Sequence, residues 1–166
     1  HRGPDASGLK LFEQGGIVHQ RLSIIDLTTG KQPLCNENGT IWITFNGEIY
    51  NYQELRRELE ITGHRFNTSS DTEVIIHGYE EWGSGVLNKL RGMFAFAIVN
   101  TNTGKIFCAR DHFGIKPLFF FMNNGTFGFA SELQALRRVM DAPSEIDTRS
   151  IDQYLRLQYI PAPGTI

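Results

Sequence analysis

The run MFAFAIV, Met93–Val99, is apolar at every position. Successive side chains of a strand point to opposite faces of its sheet, so a strand with one wet face alternates apolar and polar residues. This run has no such alternation and requires cover on both faces. We therefore predict a central strand in a layered fold, with two sheets stacked between layers of helices.

Strand-like segments occur on both sides of this run. The turn sequences NTNTG and NNG predict that two neighbouring pairs of strands are joined as hairpins, because Asn-Gly suits a tight turn. The apolar segment LFFF, Leu118–Phe121, is expected to lie in the core. The predicted strands other than the central one are Ile17–Ile25, Thr40–Phe45, Lys105–Asp111, Lys116–Asn123 and Thr126–Glu132.

Helices separate these strands in an irregular order. Asn51 is a candidate N-cap with Glu54 three residues later, as in a capping box, and Gly63 can end that helix. Asp71 is a candidate N-cap of a second helix that reaches Trp82. The order is not a βαβ repeat, so the predicted class is α+β.

Two further helices are predicted near the end of the chain. Ser131 is a candidate cap for the first, and the last spans Thr148–Gln158. The final residues, with Pro161 and Pro163, are typical of a stiff linker.

Composition limits the classes of function. The 166 residues are 40% apolar and 20% charged, with a formal net charge of −2, as in ordinary soluble domains. No block of like charges occurs, which argues against general binding to nucleic acid or a membrane surface. No apolar run approaches the roughly 20 residues of a membrane span.

Cysteine and histidine give no metal motif. Cys35 and Cys108 are the only cysteines, and neither belongs to a C-x-x-C pair. The five histidines are scattered, with no H-E-x-x-H sequence. We therefore predict neither a disulfide framework nor a metal site.

Five polar residues that interrupt apolar segments form a candidate site: Arg21, Asn46, Gly47, Glu48 and Asp71. Each also has a structural interpretation, as an outward strand cation, an Asn-Gly turn or bulge, or a helix cap. Together they suit a free amino acid. The Arg fork binds an α-carboxylate, the two acids bind an α-ammonium, and an Asn side chain beside a Gly N–H can hold an oxyanion.

This set lacks a nucleophile. Cys108 lies within a strand, where a cysteine usually acts as a small core residue. Cys35 lies in a polar loop with no base nearby in sequence. Neither is predicted to be a catalytic thiol.

A series of motifs resembles a known family along nearly the whole chain. In order they are HRGPD, RLSIID, QPL, FNGEIYN, SDTEVI, LRGMFAFAI, ARDHFGIKPL and ASEL. This series resembles the glutamine-hydrolysing domain of asparagine synthetases, within the class II, N-terminal-nucleophile glutamine amidotransferases. The resemblance implies a four-layer α/β/β/α sandwich of two antiparallel sheets.

The resemblance also implies a mechanism. An N-terminal Cys attacks the side-chain amide of glutamine, a γ-glutamyl thioester forms, and ammonia leaves before water releases glutamate. By motif, Arg21 would bind the α-carboxylate. Asn46 and the Gly47 N–H would form the oxyanion hole, and Glu48 and Asp71 would hold the α-ammonium.

The family's C-G-I start would precede His1 and is not in this sequence. Residues 1–145 are therefore interpreted as an N-terminally incomplete glutaminase domain, which we expect to be inactive by itself. Residues 146–166 are interpreted as a helix and linker toward an absent ATP-dependent synthetase domain. The implied partners are L-glutamine, that synthetase domain and a second copy in a homodimer, in the cytoplasm. No cofactor is expected here, whereas ATP and Mg²⁺ are implied for the synthetase domain.

Three alternatives stay open. The chain could belong to another class II amidotransferase with a different ammonia acceptor. It could be a module that binds an amino acid without chemistry, or a structural relic of an enzyme. An intact set of five site residues argues against the last.

Overall fold

The computed structural model describes residues 6–21, 31–139, 146–161 and 164. Eight strands and four α-helices lie in this part of the chain, with a 3₁₀ helix at Gly83–Asn88. In chain order they are β1 (Ala6–Phe12), β2 (Gly15–Arg21), β3 (Leu34–Cys35), β4 (Ile41–Ile49), α1 (Tyr52–Ile61), α2 (Asp71–Trp82), β5 (Gly92–Asn100), β6 (Lys105–Arg110), β7 (Phe119–Asn123), β8 (Thr126–Ala130), α3 (Leu133–Val139) and α4 (Thr148–Leu157).

A four-stranded antiparallel sheet forms the centre of the fold. Its order is β3-β4-β5-β6, and β4 pairs with β5 along the full length of both, from Ile41 opposite Asn100 to Ile49 opposite Gly92. Within β5, every residue from Phe94 to Val99 is buried. The prediction that both faces of this strand are covered is confirmed.

Helices α1 and α2 cover one face of the sheet. That face carries the odd-numbered residues of β4, and in an antiparallel pair the residues directly opposite share the face. The helices contribute Leu55 and Leu59 from α1 and consecutive buried residues from α2. Burying each large aliphatic side chain contributes roughly 1.5–3 kcal/mol, so this core carries much of the stability. Its members include Ile43, Phe45, Phe96, Ile98, Leu59, Val74 and Ile75.

The ribbon of β1 and β2 lies over the opposite face. The Lys10 ammonium lies 4.3 Å from the centre of the Trp42 ring, and Phe12 meets that ring edge-on. A hydrogen bond of 3.0 Å joins His19 Nδ1 to Thr44 Oγ1. Helices, sheet and ribbon therefore stack in that order, as an α+β sandwich requires.

The hairpin of β7 and β8 packs with α3 rather than with the central sheet. The expectation that Leu118–Phe121 is core is wrong for its middle. Phe119 is 41% exposed and Phe120 is 69% exposed. The physical reason is that β7 has β8 as its only hydrogen-bonded neighbour within the described ranges.

Two helix starts differ from the predicted caps. Asn51 precedes α1 but makes no side-chain cap bond. Its amide instead donates to the Lys89 carbonyl and accepts from the Arg91 N–H, at 3.0 and 2.9 Å. The N-cap of α2 is Ser70, whose hydroxyl accepts from the Thr72 N–H, and Asp71 is the first helical residue.

Other boundaries agree with the sequence or add to it. Gly63 follows the end of α1 with a φ of +103°, as a helix-terminating glycine does. The last helix begins at Thr148 as predicted, capped by Asp147. Strand β1 was not predicted. The predicted strand Ile17–Ile25 corresponds to β2, and its residues 22–25 lie outside the described residues.

A tight turn after β6 depends on the buried carboxylate of Asp111, which is 6% exposed. Its oxygens accept four backbone N–H groups, three within the turn and one from β5, at 2.9–3.1 Å. Burial alone would raise the pKa of Asp111, but these donors lower it below its ordinary value. The turn presents Phe113 to solvent, 91% exposed.

We expect Asp111→Asn to lower the free energy of unfolding by roughly 2–4 kcal/mol, because an amide NH₂ cannot accept the N–H groups that it would face. Urea unfolding at pH 7 measures this loss, with exposed His112→Gln as the control.

The difference from wild type should shrink in acid. A lowered folded pKa gives stability above the unfolded carboxyl pKa of about 4, which is lost as the pH falls through the folded pKa. An equal difference at pH 7 and pH 2.5 would contradict this role for the carboxylate.

Candidate active site

The second half of β4 carries the polar residues of the site. Asn46 and Glu48 lie on the face of the sheet that the β1–β2 ribbon covers elsewhere, and Asn46 is exposed. The residue directly opposite Asn46 on β5 is Ala95, whose small side chain leaves space beside the Asn46 amide. The predicted pair is therefore on a strand, not in a turn.

Gly47 brings β4 and β5 unusually close. A Cβ at this position would lie 2.2 Å from the Met93 carbonyl oxygen and 2.8 Å from the Phe94 Cα. Its φ of +156° is also one that L side chains rarely adopt. The Asn-Gly pair therefore has a structural reason in addition to any chemical one.

The same strand ends against the start of α2. The Ile49 N–H donates to Asp71 Oδ2 at 3.0 Å, and Asp71 is only 4% exposed. This bond brings the Asp71 carboxylate beside the Glu48–Ile49 backbone. The structure thus places Asp71 next to the end of β4, the strand that carries Asn46, Gly47 and Glu48. The roles of these four residues toward a ligand stay predictions.

The Asp71 carboxylate lacks a compensating cation among the side chains that the structure describes. Burial raises the pKa of Asp71, more than the N–H groups of Ile49 and Thr72 lower it, and the Glu48 carboxylate raises it further. Two neighbouring carboxylates in a partly buried site favour the binding of a positively charged group. An ammonium ion would satisfy both.

Gln32 is a site residue that the sequence analysis did not single out. Its side-chain carbonyl accepts from the Phe45 N–H at 2.6 Å, and its amide donates to the Phe45 carbonyl at 3.0 Å. The amide is also 3.4 Å from Thr72 Oγ1 on α2. Gln32 therefore joins the residue before Asn46 to the residue after Asp71. The QPL motif was the available signal.

Arg21 is the last residue of β2, opposite Ala6. Its side chain lies outside the described part, as do residues 22–24 of the same motif. The hydrogen bond between His19 and Thr44 joins the ribbon to β4. His19 lies two residues before Arg21, and Thr44 lies two residues before Asn46. Binding of an α-carboxylate by Arg21 therefore stays a prediction.

Neither cysteine has the environment of an activated thiol. Burial raises the pKa of Cys35, more than the Lys10 ammonium lowers it, and burial raises that of Cys108 to about 11. A raised pKa reduces the thiolate fraction at neutral pH. The arrangement can hold an amino acid and polarise a carbonyl, but these two side chains do not suit nucleophilic attack.

A family model described as "Glutamine amidotransferase domain" matches residues 1–166. The chain belongs to the glutamine amidotransferase domain family. This amidotransferase domain is 49% identical over 166 residues to "Asparagine synthetase [glutamine-hydrolyzing] 1" of Bacillus subtilis strain 168, covering all of this chain and 26% of that protein.

Other relatives of the amidotransferase domain carry similar names. A "Putative asparagine synthetase [glutamine-hydrolyzing]" of Mycobacterium bovis is 46% identical, with all of this chain and 28% of that protein covered. "Asparagine synthetase [glutamine-hydrolyzing] 3" of Arabidopsis thaliana is 49% identical over 82% of this chain and 23% of that protein. The domain thus spans about a quarter of the length of these relatives.

Solved structures confirm the fold class. The glutamine phosphoribosylpyrophosphate amidotransferase of B. subtilis matches with a TM-score of 0.60 at 31% identity, covering 74% of this chain and 29% of that chain. An "allosteric regulatory enzyme of purine biosynthesis" matches with a TM-score of 0.62, also at 31% identity, over 75% and 29% of the two chains. The predicted N-terminal-nucleophile sandwich is therefore the fold of the amidotransferase domain.

Gln32→Ala should lower the free energy of unfolding of the domain by about 1–3 kcal/mol, because it leaves the partly buried Phe45 N–H and carbonyl without their partner. Denaturant unfolding checks this. Gln53→Ala on exposed α1 is the matched control and should change stability by less than about 0.5 kcal/mol. Equal effects of the two substitutions would contradict the bridging role.

Proposed function

We propose that this chain is the glutaminase part of a glutamine-dependent asparagine synthetase. It would bind L-glutamine, hydrolyse the side-chain amide to glutamate, and supply ammonia for amidation of aspartate. The observation that carries the proposal is the buried Asp71 carboxylate at the Glu48 end of β4, which has no compensating cation among the described side chains, within an amidotransferase domain. The names of the 46–49% identical relatives support the choice of acceptor.

The charges at this site match the backbone end of a free amino acid. The α-ammonium would lie against Asp71 and Glu48, where it would offset the burial of the Asp71 carboxylate and its repulsion by Glu48. The Arg21 guanidinium would take the α-carboxylate with two parallel hydrogen bonds. With its backbone end bound, the glutamine would extend its side chain along the site, so that the side-chain amide would reach Asn46.

Asn46 and Gly47 would stabilise the transition state. As the amide carbon becomes tetrahedral its oxygen gains negative charge, and two fixed donors directed at that oxygen lower the barrier. Asn46 is exposed on its strand and has Ala95 beside it, so an amide oxygen has room to approach. Gly47 lies where β4 and β5 leave no room for a Cβ, which would meet the Met93 carbonyl oxygen at 2.2 Å.

We do not assign the nucleophile to Cys35 or Cys108. Their raised pKa values disfavour the thiolate, so the attacking thiol would be the family's N-terminal Cys. We therefore expect these 166 residues alone to be inactive and the natural chain with that Cys to be active. The other steps follow the acyl-enzyme route, in which a thioester forms, ammonia leaves and water hydrolyses the thioester.

The remaining parts of the proposal concern the whole protein. A synthetase domain would use ATP and Mg²⁺ to activate aspartate and would receive the ammonia, whereas the glutaminase domain would need no cofactor. The proposed location is the cytoplasm, and the proposed assembly is a homodimer. Among the described residues, no helix is long and apolar enough to cross a membrane.

Asn46→Ala in the natural full-length chain should lower kcat for glutamine hydrolysis by about 10²–10³-fold, because one oxyanion donor is lost. The change in KM should be small, because Asn46 interacts less strongly with the neutral amide of the ground state than with the charged oxygen of the transition state. Ammonia release under steady-state conditions measures both. A loss of activity entirely in KM would contradict the oxyanion role.

Asp71→Asn should raise KM for glutamine by roughly 10- to 100-fold, the loss of one charge-assisted hydrogen bond. The amide oxygen can still accept from the Ile49 N–H, so the fold is retained. Glu54→Gln, which removes an exposed carboxylate from α1, is the matched control.

The pH dependence gives a second readout. Because the pKa of Asp71 is raised, ammonium binding should weaken as the pH falls through a value above that of an ordinary Asp. This acidic rise in KM should disappear in Asp71→Asn. An unchanged KM profile in that variant would reject Asp71 as the ammonium partner.

A further inference from the structure

A second polar cluster lies away from the glutamine site, at the other end of the turn that joins α1 to α2. His64 follows α1, and His77 and Glu80 are one turn apart on α2. Each offers one ligand atom, and the three atoms lie within 4.8 Å of one another. The cluster is independent of the residues proposed to bind glutamine.

We propose that His64, His77 and Glu80 bind a divalent transition-metal ion of the zinc type. The two His Nδ1 atoms are 3.2 Å apart, and Glu80 Oε2 lies 3.0 Å from His77 Nδ1 and 4.0 Å from His64 Nδ1. Three atoms at these separations share a central point about 2 Å from each, which is the usual bond length from zinc to His nitrogen or carboxylate oxygen.

The donor types fit such an ion. Imidazole nitrogen suits zinc, copper and nickel, whereas calcium and magnesium prefer oxygen ligands alone. Two imidazoles and one carboxylate leave a fourth position for water. The side chains of His64 and Glu80 are 18% and 22% exposed, so an ion can enter from solvent.

The groups around the cluster hold all three ligands in position. The second nitrogen of His64 is 3.3 Å from Glu81 Oε2. Glu80 Oε1 accepts from the Asn36 amide at 2.7 Å, which leaves Oε2 for the metal. Outer partners of this kind orient metal ligands and fix the histidine tautomer.

His77, the most buried of the three proposed ligands, also has outer partners. Its ring is 1% exposed, and Nε2 has no hydrogen-bond partner by strict geometry. That atom faces the carboxylates of Glu37 and Glu73, each at 3.7 Å. A metal on Nδ1 would place the proton on Nε2, directed toward these two carboxylates.

The charge around the cluster also favours a cation. Four carboxylates, those of Glu37, Glu73, Glu80 and Glu81, face the two imidazoles. Burial alone would lower the pKa of His77, but the neighbouring Glu73 and Glu80 carboxylates raise it to about 9. A metal must therefore displace a proton from His77 at neutral pH, and its binding should weaken as the pH falls.

An ion at this position would join the segment after α1 to the middle of α2. The segment it would restrain runs toward Ser70 and Asp71, and Glu73 already holds it through the Asn67 and Thr68 N–H groups, both at 2.7 Å. We expect a structural role, because the cluster is on a different part of α2 from Asp71.

The test is a titration of the natural full-length chain, stripped with a chelator, with Zn²⁺ followed by calorimetry. The wild type should bind one equivalent more than His64→Gln, with a Kd of a micromolar or below. The affinity for this additional Zn²⁺ should fall at least 100-fold in His64→Gln and roughly 10- to 100-fold in Glu81→Gln. His112→Gln, on an exposed turn, should match the wild type.

Two further readouts keep the test decisive. Zn²⁺ should raise the Tm of the wild type and not that of His64→Gln, and bound Co²⁺ should give visible absorption only with the intact cluster. If His64→Gln does not fold, Glu80→Gln replaces it. Equal stoichiometry and affinity in wild type and variant, or binding only at millimolar Zn²⁺, would overturn the proposal and leave His77 as a cation held by carboxylates. Neither result bears on glutamine hydrolysis.

Discussion

The pairing of β4 with β5 is the contact on which the rest of the structure depends. The two strands pair over their full length, with the helices against one face and the β1–β2 ribbon over part of the other. Near the site the two backbones approach so closely that neither Gly47 nor Gly92 has room for a Cβ, which at Gly92 would meet the Glu48 carbonyl oxygen at 2.1 Å. The candidate site is therefore built on closely paired strand backbone.

The site is built where that strand pair meets the start of α2. Burial of Asp71 carries an energetic cost that the protein alone does not fully offset, since its pKa is raised despite its hydrogen bonds. In the proposed function, a ligand ammonium would offset this cost. Asp111 is the contrasting case, because its four N–H donors lower its pKa and its role is confined to holding a turn.

The layered fold could be predicted from sequence because its signals are local, and Asn46, Gly47, Glu48 and Asp71 could be named as candidates because they interrupt apolar segments. An apolar run without alternation indicates two covered faces, and the spacing of Leu55 and Leu59 indicates a helix face. Strand β1 escaped prediction because its pattern is weak, with Leu9 and Leu11 both more than 60% exposed.

What the sequence could not provide was geometry between distant segments. The role of Gln32 depends on Phe45 and Thr72 lying on either side of it, and the approach of His64 to His77 depends on the turn between the helices. The histidines looked scattered, and no metal site was expected from them. Asp71 was taken for an N-cap because an acid at a helix start has that role most often, but Ser70 performs it.

The strand pair at the centre has a consequence for the order of folding. Helices α1 and α2 lie in sequence between β4 and β5, so these strands can pair only after a long loop closes, and the entropy of that closure opposes early pairing. Contacts between α1 and α2 are closer in sequence and can form first. The candidate site needs both the start of α2 and the finished strand pair, so we expect it to be among the last parts of the molecule to assemble.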